Sequence, residues 1–229
     1  MGVLKMNNEV VLGVQQSLSI NYSKIFYNFV KRIVDIIAGI CGIVVMVPLT
    51  VIVKIVSIAS GDYGSIFFNQ ERIGKDGKLF TLYKFRTMVP NADKILYELL
   101  EQNEELREEY RINKKLKNDP RVTKIGKFLR KTSLDEFPQF INVLLGQMSV
   151  VGNRPYLPRE RKDMGLYYDT IIITKPGITG LWQTSGRSNV TFAERLKLEK
   201  KYSLISGIKL DAKIFFRTII QVLKKEGAN

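Results

Sequence analysis

The stretch Arg130–Gln139 reads RKTSLDEFPQ and sets two adjacent carboxylates, Asp135 and Glu136, directly behind a basic cluster. The chain contains no histidine. That removes protease mechanisms built on an imidazole, as well as zinc and haem sites ligated by histidine, and leaves the chemistry to carboxylates, lysines, arginines and hydroxyls. A carboxylate can attack phosphorus and form an acyl phosphate, provided cations neutralise the transferring phosphoryl group. Arg130 and Lys131 are close enough in sequence to do so. A divalent ion shared by Asp135, Glu136 and a diphosphate would add neutralisation, and oxygen ligands favour Mg²⁺. The same residues also read as scaffold: Ser133-Leu-Asp-Glu136 has the spacing of a capping box, with Ser133 as N-cap. The two readings coexist, since a helix N-terminus attracts anions. Pro138 pulls the expected helix start toward Asp135.

Three segments join glycine, proline and arginine in loops suited to anions: Val151-Gly-Asn-Arg-Pro155, Lys175-Pro-Gly-Ile-Thr-Gly180 and Ser185-Gly-Arg187. Glycine lets backbone approach a phosphate and arginine grips it bidentately, although each loop is also ordinary turn chemistry. Lys84 and Arg86 alternate along an expected strand and share one face, which reads equally as a solvated strand face. Arg111–Lys131 carries nine Lys/Arg against one acid, Asp119, within a chain whose net charge is +14. Such density fits phosphates of a nucleotide, a lipid head group or nucleic acid.

The elements that must position these residues begin with Ile36–Val53, eighteen residues without a charge. As a helix this run is about 27 Å long, near the thickness of a hydrocarbon core. Basic residues flank both sides: Lys24, Lys31 and Arg32 before it, Lys54, Arg72, Lys75 and Lys78 after it. The positive-inside rule therefore gives no direction. Pro48 predicts a kink, leaving a segment that turns back and a plain crossing helix both open. Ser65–Phe68 and Lys78–Tyr83 read as strands around Gly74-Lys-Asp-Gly77. Asn91 to about Lys117 reads as one long helix, and Leu134–Leu145, Phe192–Leu204 and Leu210–Leu223 have helical apolar spacing. On the last, Leu210, Ile214, Phe215, Thr218, Val222 and Leu223 share a face flanked by lysine and arginine. That pattern suits either a lipid interface or a protein core. The lone cysteine, Cys41, excludes an intrachain disulfide and a CxxC pair. The first twenty-odd residues read as a weakly patterned tail.

Taken in order, KRIVD at Lys31–Asp35, FFNQERIGKDGKLFTLYKFRTM at Phe67–Met88, NDPRVTKIGKFLRKTSLDEFPQFINVLLGQMSVVGNRP at Asn118–Pro155 and KPGITGLWQTSGRS at Lys175–Ser188 resemble the monotopic phosphoglycosyl transferases, bacterial sugar transferases that load a polyprenyl phosphate. The resemblance covers roughly Lys31 to the C-terminus. It implies an α+β, mainly helical fold: a tail at 1–23, a re-entrant membrane helix-break-helix at 24–60, and a compact cytosolic catalytic domain at 61–229 with short strands and interfacial amphipathic helices. It implies Asp135 as nucleophile, assisted by Glu136 with Mg²⁺ on both carboxylates, and Arg130, Arg154, Pro155, Lys84, Arg86, Gln183 and Arg187 as substrate contacts. The usual PRP loop reads Asn153-Arg154-Pro155 and the usual Ser-Pro break reads Val47-Pro48. With about thirty residues before its membrane run, the chain resembles the minimal form of the family.

The implied reaction moves a sugar 1-phosphate from a UDP-sugar to undecaprenyl phosphate with release of UMP. The GLWQTSGR wording resembles members that transfer a hexose 1-phosphate. The expected place is the cytoplasmic face of the bacterial inner membrane, among membrane lipids and without nucleic acid, in exopolysaccharide, capsule or glycan assembly. Oligomeric state is left open, a homo-oligomer included. The rival reading is a membrane-tethered basic protein that holds nucleic acid or anionic lipid without catalysis. No DxD motif supports an ordinary nucleotide-sugar glycosyltransferase, and no GxxxxGK[ST] loop supports an ATPase.

Overall fold

The computed structural model describes residues 2–186 and 190–224, with side chains from residue 22 onward. Helix α1 spans Gly2–Ala59. An antiparallel hairpin follows, β1 (Phe67–Ile73) pairing β2 (Leu79–Phe85) with Phe67 opposite Phe85 and Ile73 opposite Leu79. Helices α2 (Ala92–Gln102), α3 (Glu104–Asn113), α4 (Lys124–Thr132) and α5 (Gln139–Leu144) lead to β3 (Ser149–Val151). Short helices α6 (Arg161–Met164) and α7 (Tyr168–Ile171) precede β4 (Gly177–Thr179), which pairs β3 in parallel; α8 (Leu181–Thr184), α9 (Phe192–Ile205) and α10 (Ile208–Leu223) close the chain. The expected α+β, mainly helical fold is observed.

Three expectations change in detail. The helix foreseen over 91–117 is broken at Asn103, whose side chain accepts a hydrogen bond from Leu106 N and so starts α3 afresh. The foreseen helix-break-helix is one continuous element through Pro48. Proline removes one backbone donor there, and Met46, Leu49 and Val53 hold the helix to a common apolar cluster on either side of it. Backbone is also helical from Gly2, where the sequence predicted a tail.

The way α1 docks explains its composition. Asp35, Gly39, Gly42, Val53 and Ser57 are buried and lie three, four or eleven residues apart, whole numbers of helical turns that make a stripe facing the domain. A side chain on Gly39 would meet Leu144, and one on Gly42 would meet the ring of Phe140, so the two glycines let α5 approach closely. The opposite face is apolar yet open: Ile33, Ile37, Ile40, Val44, Val51 and Ile55 are each more than two-fifths exposed.

Charged residues fasten both ends of the uncharged run to the same domain. On one side Arg32 donates to the carbonyls of Val143 and Leu144 at 2.7 and 2.8 Å, at the C-terminus of α5 where the helix dipole favours a cation. Buried Asp35 accepts from Ser149 Oγ and Val150 N, both at 2.8 Å, and Lys31 pairs with Asp211 on α10. On the other side, beyond the helix, Asp62 receives Arg86 Nη2 at 2.8 and 2.9 Å.

One close approach sets the position of α4. Thr123 caps it through Gly126 N and also donates its backbone N–H to the Thr87 carbonyl at 3.0 Å. A Cβ on Gly126 would overlap that carbonyl. Gly126→Ala is therefore expected to lower stability by about 2 kcal/mol, overpacking outweighing the better helix propensity of alanine. Urea unfolding of the two proteins in the same detergent checks this; an unchanged or higher midpoint would contradict the packing argument.

Candidate active site

The two carboxylates sit on a one-turn 3-10 helix, Leu134–Glu136, between α4 and α5. Ser133 adopts a left-handed backbone, φ 56 and ψ 18, and its N–H caps the end of α4. Its side chain makes no cap hydrogen bond to the turn that follows, so the capping box expected from Ser133 and Glu136 does not form. The reversal at Ser133 brings the turn back beneath β2. Leu134 and Phe137, on either side of the pair, pack into the cluster that contains Val53, Ile66, Phe85 and Leu129.

This packing buries Asp135 to 8% exposure and leaves Glu136 half-buried. Lys84 Nζ donates to Glu136 Oε1 at 3.0 Å. Arg130, in the last turn of α4, is steered by its Nε hydrogen bond to Thr87 Oγ1, 3.0 Å, and adds positive charge near Asp135. Burial pushes the Asp135 carboxyl above its ordinary value; Lys84 and Arg130 pull it down, while Glu136 adds to the upward push.

A second group adjoins the first. Arg154 N donates to both carboxylate oxygens of fully buried Glu199, at 3.0 and 2.9 Å. Its guanidinium lies 6.0 Å from the ring centroid of Trp182, and Arg195 lies 4.7 Å from the same ring. Arg72 donates to the Pro155 carbonyl at 2.8 Å. Its guanidinium is pushed down to about 9, by burial first and then by Arg154, while Glu136 pulls the other way. Arg72 therefore stands within electrostatic reach of both groups and remains charged at neutral pH. Several buried polar atoms here have no partner among the described residues: Nε of Arg72, Arg154 and Arg195, the Tyr156 hydroxyl and Trp182 Nε1. Unpaired buried donors are costly, and donors gathered beside a carboxylate pair suit an anionic ligand.

The structure thus brings Lys84, Arg130, Asp135 and Glu136 together, with Arg154 and Pro155 in the adjoining group, while Gln183 Nε2 donates to the Ile178 carbonyl at 3.3 Å. Arg86 is held by Asp62 and by the Ser65 carbonyl. Arg187 lies outside the described residues. Arg195 was not singled out in the sequence, and Arg72 was read only as a basic flank of the uncharged run. Their signal is burial, which only the folded chain displays.

A buried carboxylate without imidazole, ringed by lysine and arginine beside unpaired donors, is an arrangement able to carry displacement at phosphorus. The model of the bacterial sugar transferase family matches residues 26–225, and the chain belongs to that family. It is 41% identical over 211 residues to a UDP-galactose-lipid carrier transferase of Erwinia amylovora, covering 92% of this chain and 44% of the relative. With an undecaprenyl-phosphate galactose phosphotransferase of Salmonella typhimurium it shares 39% over 221 residues, covering 96% of this chain and 45% of the relative. An exopolysaccharide production protein of Sinorhizobium fredii is 39% identical over 199 residues, covering 86% of this chain and 87% of the relative. The chain thus spans less than half the length of the first two.

Proposed function

We propose that the chain transfers a sugar 1-phosphate, in particular a hexose 1-phosphate, from a UDP-sugar to undecaprenyl phosphate and so begins exopolysaccharide, capsule or glycan assembly. The observation that carries the reading is Asp135, buried between Lys84 and Arg130 and next to Glu136. In the first step an Asp135 carboxylate oxygen attacks the phosphorus attached to the sugar. The bond from that phosphorus to the bridging oxygen breaks, and UMP leaves with the bond's electrons. In the second step a phosphate oxygen of the lipid attacks the same phosphorus, forming the diphosphate link and returning Asp135 as a carboxylate. Lys84, Arg72 and Arg154 hold the diphosphate and spread its charge. Two relatives are named for galactose, which supports the hexose reading.

The donor set fits Mg²⁺. Asp135 and Glu136 offer hard oxygens on one turn, and this ion commonly takes one or two carboxylates and completes its shell with phosphate and water. Bound there, it would supply positive charge to the diphosphate.

The membrane arrangement is supported by docking. Tyr22–Ala59 is long and apolar enough to cross a bilayer. Yet Arg32 and Asp35 before the uncharged run, and Asp62 beyond it, engage one and the same domain. A helix crossing outright would leave those flanks on opposite sides. We therefore place both flanks on the cytoplasmic side, with the open apolar face of α1 in lipid. Exposed Phe216, Ile220 and Leu223 support a reading in which the outer face of α10 lies in the interface. In a Cys41→Ser background, cysteines at Ser23 and Ser60 are expected to react with an impermeant reagent from one side of sealed vesicles only. Labelling from opposite sides would establish a crossing helix.

The test of function is UMP release from a panel of UDP-sugars with polyprenyl phosphate present; no release from any sugar would favour the binding-protein reading. The pH dependence carries a sign. Asp135 must be ionised to attack, so activity falls as pH drops through its raised pKa. Lys84 opposes that rise, so Lys84→Met is expected to move the acid limb of kcat/KM to higher pH. A limb at unchanged pH would separate Lys84 from the ionisation of Asp135.

A further inference from the structure

A cavity lies away from the carboxylate pair. Its volume is about 390 Å³, and it opens between the first side chains of α1, the turn joining β1 to β2, the segment before β4 and the end of α9. Five cations line it, Lys24, Lys31, Arg32, Lys75 and Lys175, against two carboxylates, Asp35 and Asp76. Lys84 stands at the opposite end of the hairpin from Lys75, roughly 20–25 Å away at the rise of a strand.

Their engagements separate the structural charges from the available ones. Asp35 is spent on Ser149 and Val150, Lys31 on the Val151 carbonyl and Asp211, and Arg32 on the end of α5. The ammonium groups of Lys24, Lys75 and Lys175 make no hydrogen bond or ion pair among the described residues. Half-buried Lys175 is pushed below its ordinary value by burial and then by Arg32, with Lys75 and Lys31 adding to the push and Asp35 opposing it, as expected where converging cations outnumber the carboxylates near them. The hairpin turn is held against the far wall by Asp76 N donating to the Ile172 carbonyl at 2.8 Å, so the cavity is built rather than left by loose loops.

Its setting points to the ligand. The wall formed by Lys24 and Arg32 leads directly into the uncharged run, and Tyr22, Phe26 and Phe29 on the same turns are 62–70% exposed. Aromatic side chains beside lysines mark the level of lipid head groups. We propose that this cavity binds a phosphate group, presented by an anionic phospholipid head group or by a free phosphorylated compound, at a site separate from Asp135. The space exceeds a single phosphate and admits a glycerophosphate head.

The test uses the full chain in neutral detergent and follows amide hydrogen exchange at residues 173–175 and 202–206. Three probes are added: dihexanoyl phosphatidylglycerol below its micellar concentration, dihexanoyl phosphatidylcholine, and inorganic phosphate. Protection by phosphatidylglycerol and not by inorganic phosphate supports the lipid source; protection by inorganic phosphate at similar concentration supports the free one. In either case the Lys24→Gln, Lys75→Gln, Lys175→Gln variant is expected to need at least about tenfold more ligand, and replacing the same three residues by arginine to restore binding. No protection by either anionic probe overturns the proposal. So does equal protection by phosphatidylcholine, or a glutamine variant that is folded by circular dichroism and binds like the parent.

Discussion

Asp135→Asn is expected to lower turnover by on the order of 10³-fold or more and to leave the protein folded, since the amide keeps the shape of the side chain and loses the attacking charge. The sharper measurement precedes turnover. With UDP-sugar and no lipid, the parent enzyme should release about one UMP per active site and carry the sugar phosphate on Asp135, detectable as a mass increase on the peptide containing it. The asparagine variant should show neither. Burial of Asp135 favours this outcome: removed from water, a carboxylate is less solvated, and Lys84 and Arg130 oppose the rise that burial imposes on its pKa. Glu136→Gln should be severely impaired while still binding nucleotide, because it removes the partner of Lys84 without touching Arg72 or Arg154. UMP that appears only after lipid is added, with no adduct, would replace the two-step route by direct displacement. An adduct on another residue would move the nucleophile.

The second large effect is expected from the divalent ion. Chelation should abolish turnover and added Mg²⁺ restore it, while binding of the protein to membranes and its unfolding transition stay unchanged. Two adjacent carboxylates repel a diphosphate, and the lysine and arginine charges around them are partly spent: Lys84 on Glu136, Arg72 on Pro155 and Gln70. Full activity in excess chelator would show that the protein's own cations suffice.

Which parts of this were legible in the sequence follows the range of the forces involved. The turn and second strand of the hairpin were readable because Gly77, at φ 76, and the alternation of Phe80 and Leu82 are local signals, whereas the first strand, expected at Ser65–Phe68, runs over Phe67–Ile73, where polar Asn69, Gln70, Glu71 and Arg72 hide it. The carboxylate pair was readable as chemistry, since composition alone removed the imidazole alternatives. Its local structure was misread at Ser133. A serine three residues before a glutamate fits an N-cap, but here it ends the preceding helix, and its positive φ is imposed by the reversal that packs Leu134 and Phe137 into the cluster around Val53 and Phe85. Asn103 is the converse case: the cap residue was in plain sight within an otherwise helical charge pattern, and a single side-chain acceptor sufficed to split the helix. Arg72 and Arg195 were beyond reach, because nothing in the spacing of an arginine tells whether its guanidinium will be buried against Trp182 or face water. The face of α10 was only half readable. Ile214 turns inward as its spacing predicts, whereas Phe215 and Leu223, assigned to the same stripe, lie open.

The packing of Leu134 and Phe137 with Met46, Leu49 and Val53 has a consequence for where the reaction happens. The turn that carries Asp135 is bolted to the helix we place in lipid, so its altitude above the hydrocarbon is a property of α1 rather than of a flexible tether. A long-chain acceptor anchored by its tail presents its phosphate at one height only. On the proposed function Asp135 would meet it at that height, and the search for the acceptor would be reduced from three dimensions to diffusion within a plane.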